Sequence, residues 1–414
     1  MKRTSRLFVV AVILIISYQA PQAALAQGVM LRSIGAVNAS VGGTATAMPL
    51  DASGALYWNP ASISALKKNE MTFGLELIQP RSFVQSTIDG KSGSTKGESG
   101  VTPVPSMGFV WSTCPKSPFT YGIGMAAVGG AASLYPHDKS NPILDDHGKS
   151  ATVIILQVTP TVSAQLTRRM SVGVAPIVDL ASLNINPMSL GRQLAPNDES
   201  LMTYGTRYVW GMGFQVGTLY DFQNNFKAGF MFKSPIWAEK LYFTGSDVNK
   251  APASGTFQLN LPMTLSAGIS YDGFRDTIIG MDVRYLDYAN TAGLDKGVNT
   301  TDKPGVVEGL DWKSVFSINL GMERKINHRL KGRLGYCWNE NPIPSRSAYL
   351  CVSAPMITQH VFSCGFSYAF AKNLELSAAY SHAFKAKLTG PIPGGTVTNT
   401  LSSDAVFAGL TKKW

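Results

Sequence analysis

The feature that most restricts the fold of this chain is a two-residue alternation of apolar and small or polar side chains, which recurs from residue 70 to the end. In 315–323, for example, Phe316, Ile318 and Leu320 alternate with Ser, Asn and Gly. Successive side chains of a β-strand point to opposite faces, so each such segment predicts a strand with one apolar and one polar face.

Fourteen segments of this kind follow one another and predict an all-β protein. They are residues 70–79, 104–112, 119–130, 151–166, 170–181, 205–222, 226–244, 261–271, 277–288, 312–325, 330–339, 359–370, 374–389 and 403–414. Tight turns are predicted at 114–118, 167–169, 223–225, 272–276, 326–329 and 371–373, and they alternate with longer loops at 80–103, 131–150, 182–204, 245–260, 289–311, 340–358 and 390–402. An even strand number with short turns on one side predicts a closed antiparallel transmembrane β-barrel.

Aromatic residues support a membrane wall over the alternative of a secreted β-sandwich, which also contains many alternating strands. They lie near predicted strand ends, where a membrane barrel carries its aromatic girdles. These residues are Trp111, Tyr220, Tyr271, Tyr285, Trp312 and Trp338. The last strand ends on Trp414 and resembles an outer-membrane assembly signal, which predicts the barrel-assembly machinery as a partner.

The N-terminus predicts export. Lys2, Arg3 and Arg6 precede the apolar run 7–17, and Ala24-Leu25-Ala26 gives a small-residue cleavage pattern. A retained anchor is the alternative, but the run is too short to span a bilayer as a helix. We therefore expect a signal peptide at 1–26, an N-terminal hatch at 27–68 and a transmembrane barrel at 69–414.

Charge and cysteine content exclude several function classes. The formal net charge is +10, and removal of the signal peptide leaves +7 spread along the chain. Nucleic-acid binding requires a clustered basic face, so we expect no nucleic-acid partner, whereas dispersed positive charge suits outer-membrane lipid and lipopolysaccharide. The four cysteines show no metal-ligand spacing, so no metal or cofactor is expected. Cys337 and Cys351 form either a disulfide or isolated thiols.

The segment 28–66, which precedes the strands, is rich in small residues. Thirteen of its 39 residues are Gly or Ala, and it lacks strand alternation. Such a backbone packs closely against surrounding walls, so we expect a plug inside the barrel. Pro60 and Asn59 predict a rigid corner at its end.

Particular motifs resemble the FadL/TodX (OmpP1) family of outer-membrane transport proteins. The N-terminal match is Asp51-Ala52-Ser53 followed by Asn59-Pro60-Ala61, and Tyr121-Gly122-Ile123-Gly124 opens the third strand. The C-terminal match comprises Gly335-Tyr336, Pro342-Ile343-Pro344, Arg346, His360, Ser363, Gly365, Tyr368 and the segment 374–382. Together these motifs extend over essentially the whole mature chain.

The resemblance implies passive diffusion of long-chain fatty acids or aromatic hydrocarbons. It also implies a hatch that closes the lumen and a third-strand kink that opens a lateral exit. We place the kink at Gly129-Gly130, where paired glycines permit a bulge, although the same pair also suits a simple strand end. We further predict that Asn59, Pro60 and Ala61 latch the hatch to the Gly129-Gly130 region.

Candidate ligand contacts are of two kinds. Met188, Leu190, Leu194 and Leu201 lie in the 182–204 loop and predict an apolar docking groove, unless that loop packs on itself. Arg284, Lys313 and Arg346 are candidates for binding a ligand head group, with ordinary salt bridges as the alternative.

Catalysis has little support. No Gly-x-Ser-x-Gly or His-Glu-x-x-His motif occurs, and His382 with a nearby serine is the one enzyme candidate. We therefore expect a monomeric, non-enzymatic outer-membrane channel for hydrophobic compounds. A general diffusion porin and a structural or adhesive barrel remain the alternatives. The sequence does not choose between fatty acids and aromatic hydrocarbons.

Overall fold

The computed structural model describes residues 28–66, 68–113, 117–144, 147–187, 202–246, 251–298 and 307–414. The expected signal peptide at 1–26 lies outside these ranges. Among the described residues, no helix is long and apolar enough to cross a membrane.

Fourteen long strands, numbered here in chain order, form one antiparallel wall. They are β1 Glu70–Ile88, β2 Thr102–Trp111, β3 Phe119–Tyr135, β4 Lys149–Gln165, β5 Met170–Asn186, β6 Val209–Asp221, β7 Phe226–Lys233, β8 Thr264–Phe274, β9 Thr277–Leu286, β10 Val315–Lys325, β11 Leu330–Asn339, β12 His360–Ala371, β13 Leu374–Ile392 and β14 Gly395–Lys413. Each pairs with its neighbours in the sequence, and β1 pairs with β14. This last pairing runs from Glu70 opposite Lys413 to Ile88 opposite Gly395 and closes the ring. The predicted 14-stranded barrel is therefore confirmed.

Shorter strands lie on one side of the ring. Lys91–Lys96 pairs with the end of β1, and Trp237–Ala238 pairs with β6. Met202–Thr206, Leu241–Ser246 and Pro252–Phe257 form a separate three-stranded sheet. These segments extend the long-loop side and leave the short-turn side bare.

Several predicted strand ends are wrong. The seventh strand ends at Lys233 instead of 244, because Pro235 has no N–H with which to continue the ladder. The predicted 390–402 loop is absent, because a two-residue turn at Pro393-Gly394 joins β13 to β14. Gly394 has φ +74°, a left-handed conformation that glycine adopts without strain.

The outward face of the ring is apolar. Its exposed large side chains include Phe73, Val174, Phe214, Ile269, Phe316, Leu334, Phe366, Leu376 and Val406. On the short-turn side, where β1 begins and β14 ends, Trp111 stacks between Phe109 and Tyr121. Phe109 also stacks on Trp414. This apolar band with an aromatic rim suits contact with lipid.

The hatch occupies the inside of the ring. It contains α1 Gly35–Ser40, α2 Ala52–Trp58 and a 3-10 helix at Pro60–Ala65. Asp51 begins α2 by accepting a hydrogen bond from the Gly54 backbone N–H (3.1 Å). Most hatch side chains are buried, and the three helices contact strands on opposite sides of the ring.

A belt of inward-facing glycines, called here the glycine belt, makes room for the hatch. A Cβ atom at any of these positions would lie within 3.4 Å of a hatch atom, a tighter contact than most side chains make. They are Gly74, Gly108, Gly122, Gly124, Gly173, Gly217, Gly229, Gly268, Gly280, Gly321, Gly335, Gly365 and Gly409. Many are direct cross-strand partners, as Gly321 is of both Gly280 and Gly335. The hatch backbone therefore touches the wall backbone directly.

The cysteines of the described residues are unbridged. Cys337 and Cys351 are buried thiols, and Cys364 is partly buried. The disulfide alternative for Cys337 and Cys351 is therefore wrong in this structure, since each thiol packs separately. Burial raises the pKa of the Cys351 thiol to about 12.

Candidate functional site

Asn59 joins the two helical segments at the end of the hatch and binds the barrel wall. Its Oδ1 accepts from the Ala61 N–H (3.0 Å), which begins the 3-10 helix with Pro60 at its first position. Its Nδ2 donates to the carbonyls of Thr46 (2.7 Å) and Thr218 on β6 (3.0 Å). Asn59 is fully buried and connects the hatch to itself and to the wall.

The predicted contact between this motif and Gly129-Gly130 is wrong. Asn59 and Pro60 instead pack against Gly217 and Gly173, on β6 and β5. The hatch segment beside Gly129 is its N-terminal end, where Met30 forms a β-bridge with Gly129 and the Leu31 N–H donates to the Val128 carbonyl (2.8 Å). The two parts of the hatch reach different strands because the helical segment between them crosses the ring.

A second anchor fixes the middle of the hatch to β9. The Asp282 carboxylate accepts from the N–H groups of Ala45 (2.9 Å) and Thr46 (3.0 Å). Arg284 pairs with Asp282 (2.9 Å), and its guanidinium lies 3.2 Å from the Trp58 ring centroid. Both charged side chains are fully buried. Arg284, predicted as a head-group ligand, is thus engaged by the hatch.

The wall is interrupted between β2 and β3. Their pairing begins at Trp111 opposite Tyr121 and ends at Ser106 opposite Ala126. Beyond that point β3 continues to Tyr135 while pairing with β4, and its register shifts between Ala127 and Gly129. The backbones of both strands are described throughout, and no pair joins residues 127–135 to β2, although the Glu98 N–H before β2 donates to the Leu134 carbonyl (2.7 Å). We call this interruption the wall gap.

The sequence of β2 explains the wall gap. Pro103 and Pro105 have no N–H, and pairing of β2 with β1 continues through both. The missing donors therefore lie on the edge that faces β3. Proline is found at the unpaired edges of sheets for this reason. The sequence Thr102-Pro103-Val104-Pro105 therefore indicates an unpaired edge. The predicted third-strand irregularity does occur, but it is centred on Val128, and β3 does not end at Gly130.

An internal cavity of about 140 Å³ lies beside the wall gap. Its wall-gap side is formed by Thr102 and Val104 of β2 and Ser133 of β3. The other lining residues are the hatch residues 28–32, residues of the β1 and β14 walls, Ser99 before β2, and Ala354-Pro355-Met356 with Thr358. A second, smaller cavity lies further inside, and Leu31, Arg32, Ile78 and Ser403 line both.

The 340–358 loop closes the cavity from the long-loop side. Ile343, Ala348, Cys351 and Val352 of this loop pack in the main apolar cluster with Val29 and Met30. Arg346, another predicted head-group ligand, forms two 2.7 Å contacts with Asp311, which raise the pKa of its guanidinium. The side chain is 73% exposed and ties two loops together. Lys313, the third candidate, has an exposed side chain outside the cavity.

Other predicted residues lie elsewhere. The predicted groove residues Met188, Leu190, Leu194 and Leu201 lie outside the described residues. His382 hydrogen-bonds Asp404 (2.7 Å) on the outward face of β13 and β14. Within the described ranges, no cluster of His, Cys, Asp and Glu could hold a metal ion.

These features define a transmembrane β-barrel with an internal hatch, a wall gap and an apolar cavity between them. A family model described as outer membrane protein transport protein (OMPP1/FadL/TodX) matches residues 14–411. The chain belongs to this family of outer-membrane transport proteins, and the predicted family and location are confirmed.

Solved structures of low sequence identity share the fold. The Pseudomonas putida toluene transporter TodX has 16% identity and a TM-score of 0.70, with 93% of this chain and 99% of that chain covered. The Ralstonia pickettii toluene transporter TbuX has 18% identity and a TM-score of 0.68, with the same coverage. A Pseudomonas aeruginosa FadL homologue has 14% identity and a TM-score of 0.72, over 94% of this chain and 99% of that chain. No curated protein matched the sequence.

Proposed function

We propose that this protein is a channel for passive uptake of hydrophobic compounds across the outer membrane, with a lateral exit through the wall gap. The main supporting observation is that an internal cavity with largely apolar walls lies directly beside the stretch of the barrel wall where β2 and β3 do not pair with each other. A hydrophobic solute leaving there enters lipid without crossing water, which avoids the cost of hydrating its apolar surface.

The hatch favours this function over a general porin. A porin requires an open polar lumen, whereas the ring here encloses buried hatch helices at the level of the glycine belt. The toluene-transporter names of TodX and TbuX add support for a hydrophobic substrate. The adhesive-barrel alternative gains no specific support from these contacts.

The wall gap is tested by filling it from inside. Val104 lies on the β2 edge, 7% exposed, and lines the cavity, so Val104→Trp should obstruct the exit. Val101→Trp is the matched control, because Val101 is 55% exposed just before β2. We expect Val104→Trp to reduce uptake of labelled toluene and labelled decanoate at least about tenfold in cells lacking the native gene, while Val101→Trp leaves it unchanged.

Barrel integrity is checked separately by the heat-dependent gel shift of folded outer-membrane barrels. Normal uptake by a correctly folded Val104→Trp variant would refute the lateral route. Planar-bilayer recording separates channel classes: large steady ionic currents from the native protein would indicate a porin and contradict the proposed function.

A further inference from the structure

Arg32 is a cation within the barrel that forms no salt bridge with the described residues of the protein. Among the described residues, its guanidinium has no hydrogen-bond or ion-pair partner, although its backbone carbonyl accepts from Arg284 (3.4 Å). Arg284, by contrast, is held by Asp282, and Arg346 by Asp311. Among these three arginines, Arg32 is therefore the one whose guanidinium is available to a ligand.

The position of Arg32 connects it to both internal cavities. Its side chain is partly buried and lines the cavity beside the wall gap as well as the smaller one behind it. The buried carboxylate of Glu76 interacts electrostatically with Arg32 from beyond salt-bridge distance, but it lines only the smaller of the two cavities. An anion in the cavity beside the wall gap therefore meets Arg32 first.

The surroundings of Arg32 suit an amphiphile. Burial of an unpaired charge is unfavourable, and an anionic ligand group offsets this cost. A guanidinium presents a planar fork of donors that matches a carboxylate. The rest of the cavity is supplied largely by apolar side chains, including those of Met30, Ile78, Val104 and Met356. One end of the cavity is thus charged, and the remainder is largely apolar.

Cavity size limits the apolar part of the ligand. The volume is about 140 Å³, and an engineered apolar cavity of about 150 Å³ binds benzene. The described cavity therefore fits one aromatic ring or a short acyl segment at a time.

We infer that Arg32 is a specificity-determining residue that binds the carboxylate of a compact amphiphile, an aromatic or short-chain acid whose apolar part occupies the cavity beside the wall gap. This inference rests on the proposed function and assigns head-group recognition to the hatch instead of the wall or the loops. Arg32 directly follows Leu31, which hydrogen-bonds the shifted part of β3, so ligand binding acts on the segment beside the exit.

The test compares two ligands that share an apolar chain. Octanoate and 1-octanol are titrated by calorimetry into the full-length protein in nanodiscs, with empty nanodiscs as the blank. We expect the native protein to bind octanoate at least about tenfold more tightly than 1-octanol. Arg32→Gln should lose that tenfold preference while keeping its affinity for 1-octanol, and Arg32→Lys should retain part of the preference.

Arg275→Gln is the matched control, because Arg275 is 97% exposed in a short turn and pairs with Asp276. It should bind both ligands like the native protein. The inference is overturned if folded Arg32→Gln binds octanoate with native affinity, or if the native protein prefers 1-octanol. Failure of the native protein to take up either toluene or decanoate in cells would instead refute the channel function itself.

Discussion

The guanidinium of Arg284 lies over the indole of Trp58, 3.2 Å from the ring centroid, and joins a wall strand to the last turn of the hatch helix α2. The same guanidinium donates to the Gly43 carbonyl (2.5 Å) and to Asp282. One side chain therefore holds two parts of the hatch that lie 15 positions apart in the sequence. This arrangement makes Arg284 a structural anchor, and it leads to the first prediction.

Arg284→Gln should loosen the hatch without opening the ring. Removing one partner of a buried ion pair leaves the other charge uncompensated, which costs about 3–5 kcal/mol. Asp282 receives the N–H groups of Ala45 and Thr46, so amide hydrogen exchange at these two residues should become at least about tenfold faster. Arg275→Gln should leave both rates unchanged, since exposed pairs contribute about 0–1 kcal/mol. Native exchange rates in Arg284→Gln would contradict the anchor.

Asn59→Ala should weaken the contact between the hatch and β6. It removes the donors to Thr46 and Thr218, and a buried polar group left unpaired costs about 1–3 kcal/mol. Uptake should fall while the heat-dependent gel shift of the barrel stays native. Asn59→Asp has nearly the same shape and keeps the acceptor for Ala61 but lacks the donors. Native uptake by the aspartate variant would show that the contact with Thr218 is dispensable.

Gly335→Ala adds a single methyl group to the wall, and this group should displace the hatch. Its Cβ would lie 2.0 Å from the Gly42 nitrogen, and neither backbone can move aside easily. Overpacking of this kind costs about 1–3 kcal/mol, so the melting temperature should fall. Gly255→Ala is the control, because no atom lies within 4 Å of the added methyl group. Equal melting temperatures for the two variants would argue against a close-packed glycine belt.

Asp51 should make hatch stability depend on pH. Burial, with Glu70 as a further cause, raises the pKa of the Asp51 carboxyl from 3.8 to about 7. A raised folded-state pKa favours the protonated protein, so the stability contribution is complete below pH 3.8 and is lost as pH rises through about 7. Thermal melts should show this decline between pH 4 and 8.

Asp51→Asn should remove most of the decline while still capping α2 at Gly54. An unchanged pH profile in this variant would assign the titration to another group.

The barrel was predictable because strand alternation is a local property. Each segment, such as 315–323, shows by its own alternation which side chains face lipid and which face the lumen. The closed ring follows from the number of such segments. The small residues of 28–66 likewise predicted close packing. The contact of Asn59 was not predictable, because it depends on the path of the hatch across the lumen. Only the folded chain shows that this path leads to Thr218 instead of Gly129.

The roles of the charged residues were the least predictable. Arg284 and Arg346 have the residue type that suits a carboxylate ligand, but each is already paired with a protein carboxylate. Arg32 gave no sequence signal, because nothing in its neighbours indicates that it lacks a partner. Pro103 and Pro105 did give a signal, since two prolines in a wall strand require an unpaired edge.

The glycine belt restricts which amino-acid substitutions this protein can accept during evolution. Where backbone meets backbone, there is no flexible side chain to absorb a substitution, so a larger residue on the wall requires a smaller or shifted one on the hatch. We therefore expect hatch and wall residues that touch each other to change together. A hatch transplanted from a relative of 16% identity, such as TodX, should fit this wall only if the opposing wall positions are transplanted with it.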